Sequence, residues 1–380
     1  MELFVVLPCY NESHITTAID SLSACFPPTY PVQLIIVVNS EQNCSENVLN
    51  QNKKSLLELA EWDKSKPNWI KLHTLALTDV PHKVAGVGNA RKHGMDYAST
   101  LAQNAKKSII ICYDADCRCS TNYLQSIETA FDSNPTHEVA TIYFEHDAKD
   151  NDAIIDYELF LRYHYQSLKS TGYPYAYQTI GSSMAVRADT YTSFGGMNQR
   201  KAGEDFYFLH KVIPYRNVLE INNCAVYPSA RSSDRVPFGT GHAVAKFYSS
   251  KCPTYYTYHP SIYKEITSLI DAFETATIIE GVNTLKVSKD IRNFLTQTKF
   301  EKALVNFLKQ QKTNDALRQS LFRWLNGFRM LKLVHHLRDQ SFTNITINEA
   351  VRIFWKKYNN EDLNLTNHDW LLRFRNLEKR

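Results

Sequence analysis

The chain has 380 residues, 43% hydrophobic and 22% charged, with a formal net charge of +4. This ordinary globular composition excludes collagenous, low-complexity and disordered classes, and so small a charge does not predict a nucleic-acid binder. The charge is unevenly placed: residues 286–380 carry 19 Lys and Arg against 9 Asp and Glu, a net +10, whereas residues 1–285 carry 24 against 30, a net −6.

In chain order, short apolar runs at Leu3–Leu7, Leu34–Val38, Lys71–Leu75, Ser108–Tyr113 and Val139–Phe144 are bounded by polar stretches. Runs of this length suit strands buried on both faces of a sheet. Helical patterns fall between them, at about 13–25, 46–62, 88–105 and 121–133. Strands alternating with helices predict an α/β fold with a mostly parallel wound sheet. After about residue 150 the pattern loosens and tyrosines thicken. Glycine-marked turns follow at Gly181 and Gly195-Gly196, and from about 260 the chain reads helical. The expected division is residues 1–250 as an α/β domain and 251–380 as a basic α-helical region.

No apolar run reaches the roughly 18 residues that span a bilayer. The first residues, MELFVVLPCYNES, read as a strand and not as a signal peptide. Eight cysteines contain no CxxC pair, and Cys117-Arg118-Cys119 is not a zinc spacing. A reducing, cytoplasmic setting is expected. The sequons at Asn11, Asn43, Asn344 and Asn364 then read as chance matches.

Five stretches carry chemistry-bearing residues. The first strand ends in Pro8-Cys9-Tyr10-Asn11-Glu12, where open α/β sheets bind ligands; an ordinary turn with Asn11 or Ser13 capping a helix is the competing reading. Gly86-Val87-Gly88-Asn89-Ala90-Arg91 opens a helix, so its glycines suit close approach of an anion, with Arg91 adding a charged contact; a solvated basic loop is the alternative. Asp114-Ala115-Asp116 ends a strand with two hard oxygen donors. These suit Mg²⁺ or a similar divalent cation, or else form a solvated acidic turn. Gly203-Glu204-Asp205 places an acidic pair as helix caps or as a general base. Arg231 to His242 combines Arg231, Asp234, Arg235, Gly239, Gly241 and His242 in a loop able to close on phosphate or complete a metal shell.

The order of these pieces, across roughly residues 1–245, resembles family 2 glycosyltransferases of the GT-A fold. The resemblance implies transfer of a sugar from a nucleoside diphosphate sugar to an acceptor hydroxyl, inverting and assisted by Mg²⁺ or Mn²⁺. It implies that Pro8, Tyr10 and Glu12 line a nucleoside pocket and that Arg91 contacts donor phosphate or sugar. Asp114 and Asp116 would bind donor hydroxyls and the cation, with Asp116 the direct ligand. Gly181 to Met184 and Gly195-Gly196 would border the acceptor. Asp205 would be the catalytic base, Glu204 would hold an acceptor hydroxyl, His242 would be a further metal ligand, and Arg235 a substrate contact.

Two departures stand out. Asn39, in Val38-Asn39-Ser40-Glu41, places an amide where the family often has a carboxylate against the nucleotide base, which leaves UDP and GDP open. Gln319 to Arg323-Trp324 has one residue too many for the Gln-x-x-Arg-Trp motif of processive synthases, and one residue turns a helix by about 100°. A non-processive enzyme is expected, acting on a sugar, lipid-linked or small-molecule acceptor. Two other classes compete: a catalytically silent sugar-nucleotide-binding or scaffold protein, and a sugar-phosphate nucleotidyltransferase. The latter is disfavoured because PCYNE stands where that class has a glycine-rich, Arg-containing loop. The basic tail is open to three readings: a helical domain with solvated Lys and Arg, peripheral contact with an anionic membrane face, or packing on the acidic front of a second copy in a homodimer.

Overall fold

The computed structural model describes residues 1–149, 151–231, 239–249, 254–283 and 286–379. The chain divides into two compact units. The first comprises Met1–Asp150, Gln178–Ala245 and Leu377–Arg380, and the second Asn151–Tyr177 and Lys246–Asn376.

The first unit begins with β1 (Leu3–Cys9), every residue of which is buried. It continues through α1 (Ile15–Ser23), β2 (Val32–Glu41), α2 (Glu46–Ser65), β3 (Ile70–Val80), α3 (Val87–Leu101) and β4 (Ile109–Cys112). The spacing of Ile15, Ala18, Ile19 and Leu22 puts one apolar stripe of α1 inward, and all four are buried. Each buried Ile or Leu among them contributes about 1.5–3 kcal/mol relative to exposure. Then come β5 (Arg118–Cys119), α4 (Tyr123–Ser133) and β6 (Val139–Phe144).

A helix of the second unit, α5 (Asp152–Lys169), interrupts the first unit, which resumes with β7 (Met184–Arg187), α6 (Ala188–Ser193), α7 (Glu204–Val212) and β8 (Val218–Tyr227). The sheet order is β3-β2-β1-β4-β7-β6-β8-β5. Strands β3, β2, β1 and β4 are parallel; β7 is antiparallel to β4 and β6; β6 and β8 are parallel; β5 closes the edge antiparallel to β8. The α/β class with a mostly parallel wound sheet is therefore present, and a helical region follows it.

This order creates a switch point. From β1 the chain winds outward to β2 and β3, then returns on the other side of β1 as β4. The carboxyl ends of β1 and β4 diverge there, which is where open α/β sheets bind ligands. Pro8-Cys9-Tyr10-Asn11-Glu12 and Asp114-Ala115-Asp116 follow those two ends.

The predicted early strands all fall within or across observed ones, although β3 is longer than the run 71–75 and is exposed along much of its length. The loosened, tyrosine-rich stretch after 150 is α5. Its rings form the aromatic core of the second unit. Tyr163 packs edge-on against Tyr263 at 5.7 Å between centroids, and its hydroxyl donates to the Tyr258 carbonyl at 2.8 Å.

The second unit otherwise contains β9 (Tyr256–Thr257), α9 (Pro260–Glu274), α10 (Lys289–Gln297), α11 (Phe300–Gln310), α12 (Asn314–Trp324), α13 (Gly327–Gln340), β10 (Ile345–Thr346), α14 (Ile347–Asn359) and most of α15 (Asn367–Glu378). The Asn326-Gly327 pair separates α12 from α13, with the Asn326 side chain accepting from the Arg329 N–H at 3.2 Å. Trp324 packs against Phe300 with ring centroids 4.7 Å apart and planes tilted by 60°, so this tryptophan has a packing role. The helix spanning Thr240–Ser249 bridges the sequence boundary of the two units. No described helix is long and apolar enough to cross a membrane.

Candidate active site

The turn after β1 is fixed by α2. Asn11 takes a left-handed φ of 47°, and its N–H donates to Asn52 Oδ1 at 2.9 Å. The Glu12 carbonyl accepts from Gln51 Nε2 at 2.8 Å and Ser55 Oγ at 3.0 Å. Asn52 also donates to the Asn39 carbonyl at 2.8 Å. One asparagine thus ties the ends of β1 and β2 together, and Asn39 is buried there. The helix-capping reading of Asn11 or Ser13 does not hold: His14 is the N-cap of α1 and makes no side-chain cap bond. The loop places Glu12 instead, and its buried carboxylate receives both Nη atoms of Arg231, with Nη1 at 2.9 Å.

The Asp114-Ala115-Asp116 pair stands half-exposed, at 34% and 30% of the side chains. Ligand atoms of Asp114, Asp116 and Cys117 lie within 4.8 Å of one another. The two aspartates are hard oxygen donors and fit Mg²⁺ or Mn²⁺. Cys117 does not fit as a third ligand for such a cation, because sulfur is a soft donor and hard divalent ions select oxygen. Two adjacent carboxylates repel unless compensated. Here Arg91 Nη2 reaches Asp114 at 2.5 Å and Arg231 Nη2 reaches Asp116 at 3.3 Å.

Arg91, on α3, is 2% exposed and also donates through Nη1 to the buried carboxylate of Glu204. Burial disfavours its charge, but Asp114 and Glu204 outweigh that effect and hold its pKa above the ordinary value. Gly181 is required by this cluster. A Cβ there would stand 2.7 Å from Arg91 Nη1 and 2.9 Å from Asp205 Oδ2.

Gly203, with a φ of +73°, turns the chain into α7 so that Glu204 and Asp205 occupy its first turn, where the helix dipole favours negative charge. Asp205 Oδ1 accepts from the Phe206 N–H at 2.7 Å. Burial raises the Asp205 pKa, against the pull of Arg91. Glu204 is raised to about 7 by burial, with Arg91 opposing and Asp205 reinforcing. The two acids differ in access: Glu204 is buried beneath Arg91, whereas Asp205 keeps part of its surface open.

The glycine-helix start has a different job from the one expected. A Cβ on Gly86 would meet Lys201 Cα at 2.7 Å, and one on Gly88 would meet the Arg200 carbonyl oxygen at 2.3 Å and Glu204 Cβ at 3.0 Å. The segment before α7 crosses directly over these glycines. They permit chain-on-chain packing. Their packing sets where Glu204 meets Arg91.

Pro8 is buried at the end of β1 and Tyr10 is partly open beside it. His242, partly exposed in the helix Thr240–Ser249, is not among the clustered metal-type donors. Asp234 and Arg235 lie outside the described residues. Gly195 and Gly196 both take positive φ, and a Cβ on Gly196 would stand 3.0 Å from the Tyr191 hydroxyl oxygen. Arg231 is the residue the sequence reading underweights. It belongs to the run that singles out Arg235 and His242, but its approach to Glu12 and Asp116 depends on where β8 ends, and β8 carries no clear strand pattern in the sequence.

The first unit is thus an α/β domain whose mostly parallel sheet gathers carboxylates at its switch point, beside a partly open acid on a helix N-terminus. Residues 4–191 match the family described as Glycosyl transferase family 2, so this part of the chain is a glycosyltransferase domain of that family. Among solved structures it is similar to S. aureus TarS 1-349 in complex with UDP-GlcNAc, at 14% identity over 87% of this chain and 92% of that one, with a TM-score of 0.46. It is also similar to S. aureus TarS 1-349 in complex with UDP, at 14% identity over the same shares and a TM-score of 0.43. No curated protein matches the chain.

Proposed function

We propose that this glycosyltransferase is a non-processive, inverting enzyme that moves a sugar from a UDP- or GDP-linked donor to an acceptor hydroxyl. The observation that carries the reading is the pairing of half-exposed Asp114 and Asp116 with a partly open Asp205, all organised around buried Arg91. A divalent cation held by Asp114 and Asp116 would supply charge stabilisation for the departing nucleoside diphosphate.

The protein's own residues do the rest. Asp205 takes the acceptor hydroxyl proton as the bond to the anomeric carbon forms. Its raised pKa brings its basicity nearer to neutral pH, where a general base works best. Glu204 anchors Arg91, and Arg91 fixes Asp114 and the wall around Gly181; enclosed as it is, Arg91 serves as a positioning residue. Glu12 holds Arg231 against Asp116 at the edge of the donor pocket.

The test is release of nucleoside diphosphate from a panel of UDP- and GDP-sugars with Mn²⁺, for the wild type and for Asp205→Asn and Asp116→Asn. Turnover by the wild type and its loss in both variants is expected. Nucleotide binding with no turnover on any donor or acceptor would favour a silent binding protein instead.

A further inference from the structure

Away from the carboxylates, Cys25 and Cys119 lie 94 residues apart in sequence, and their Sγ atoms are 3.6 Å apart. Cys25 follows the C-cap of α1, and Cys119 is the second residue of β5. Hydrogen bonds already hold the two segments together. The Cys119 N–H donates to Ser21 Oγ at 2.9 Å, and the Phe26 N–H donates to the Thr121 carbonyl at 2.7 Å. Both are free thiols, Cys25 buried and Cys119 partly open.

We propose that Cys25 and Cys119 form a redox-active dithiol, a modification site that a peroxide-class oxidant converts to a disulfide and a thiol reductant restores. The geometry needs little change. A disulfide requires the sulfurs at about 2.05 Å, a closure of about 1.5 Å that side-chain rotation and a small shift of β5 supply. In the first step the Cys119 thiolate attacks a peroxide oxygen, the O–O bond breaks, and Cys119 becomes a sulfenic acid as one equivalent of water or alcohol leaves. Cys25 then attacks the sulfenic sulfur, the S–O bond breaks, and water leaves with the Cys25 proton. Two thiols are oxidised by two electrons, and the peroxide is reduced.

The surroundings select Cys119 as the first nucleophile. The hydrogen bond shared with Cys25 Sγ, in which either thiol can donate, and the one with Ser21 hold Cys119 below the ordinary cysteine pKa against burial, and Cys119 is the more open of the two. Burial pushes Cys112 and Cys224 up to about 12, which leaves them almost wholly protonated.

The site has a route to the acidic cluster. Cys119 lies three residues after Asp116, and β5 pairs with β8 through Cys119 and Val226, five residues before Arg231 leaves for Glu12 and Asp116. Closing the disulfide draws β5 toward α1 and shifts the Asp116 carboxylate. This consequence rests on the reading that Asp114 and Asp116 hold a divalent cation.

The intact protein is treated with a small excess of hydrogen peroxide, its remaining thiols are alkylated, and linked peptides are mapped by mass spectrometry. A Cys25–Cys119 linked peptide that dithiothreitol abolishes, with half-exposed Cys44 still alkylated, is expected. Cys25→Ser should divert Cys119 to higher oxidation states. Cys119 remaining as reduced as Cys44, or linked to a different cysteine, overturns the proposal. Calorimetry with Mn²⁺ alone follows on the reduced and cross-linked forms. Affinity about tenfold weaker after cross-linking supports the link to the acidic cluster, the scale typical of disturbed groups behind a metal ligand. Equal affinity of the two forms overturns it. Absence of Mn²⁺ binding by the reduced protein contradicts the cation reading, while the peptide map still decides the dithiol.

Discussion

Both units bury arginine among carboxylates, with opposite outcomes. In the second unit, Glu158 accepts from Arg162 Nε at 2.8 Å and from Arg375 through Nε and Nη2, each at 2.8 Å. The side chains of Glu158 and Arg162 are fully enclosed. In the first unit, Arg91 and Arg231 are met by Glu204, Asp114, Glu12 and Asp116, and the two aspartates keep about a third of their surface in solvent. The closed cluster has every sign of structural cross-bracing. The open one gathers negative charge at the carboxyl ends of β1 and β4, where open α/β sheets bind ligands. A buried ion pair alone therefore does not mark a site; partial exposure at a topological switch point does.

The predictions test that contrast. The largest effect is expected from Asp205→Asn, which should lower kcat by roughly a hundredfold or more while leaving donor affinity near the wild-type value. Next, Arg91→Met strands the buried Glu204 carboxylate and should cost about 3–5 kcal/mol of stability by denaturant titration, whereas Arg162→Met leaves Glu158 held by Arg375 and should cost less. Arg162→Met should leave kcat within about threefold among the molecules still folded, a change under 1 kcal/mol in the barrier, whereas Arg91→Met should abolish turnover. Equal losses of turnover would erase the distinction between the clusters.

A subtler test uses Arg231. Its guanidinium sits against Asp116 with the same sign of charge as a metal ion, so Arg231→Gln should tighten Mn²⁺ binding to the nucleotide-free protein. About tenfold, or 1.4 kcal/mol, is the expected scale by calorimetry. Weaker Mn²⁺ binding would mean that Arg231 orders the cation site and does not compete for it.

The remaining test is pH dependence. Glu204 is raised from 4.5 to about 7 on folding. Its contribution to stability is therefore fully present below about 4.5 and is lost as pH rises through about 7, with a limiting slope of about 1.4 kcal/mol per pH unit. Glu204→Gln lacks that term, so the gap in Tm between wild type and variant should change in the wild type's disfavour from pH 4.5 to 7. A pH-independent gap would contradict the assignment.

Much of this was legible in the sequence because the early strands are continuous apolar runs ending in polar residues. β1, β2, β4 and β6 could be found with little ambiguity, and with them Glu12, Asp114 and Asp116. α5 was not legible, because its many tyrosines blur the helical period; the helices from about 260 onward were expected, but that residues 151–177 join them shows only in the rings packed on Tyr255, Tyr258 and Tyr263. Gly86 and Gly88 were misread for a different reason. Glycine before a helix permits close approach of an anion or of another chain segment, and only the tertiary path of residues 198–201 decides between them. Arg231 was obscured because a long-range salt bridge leaves no local periodicity.

The central claim is that Asp205 acts as base at a donor site held by Asp114 and Asp116. It is tested most directly by single-turnover release of nucleoside diphosphate at saturating donor, acceptor and Mn²⁺, comparing wild type with Asp205→Asn. The account predicts unchanged donor binding with release slowed by roughly a hundredfold or more. Release at the wild-type rate in the variant would contradict it.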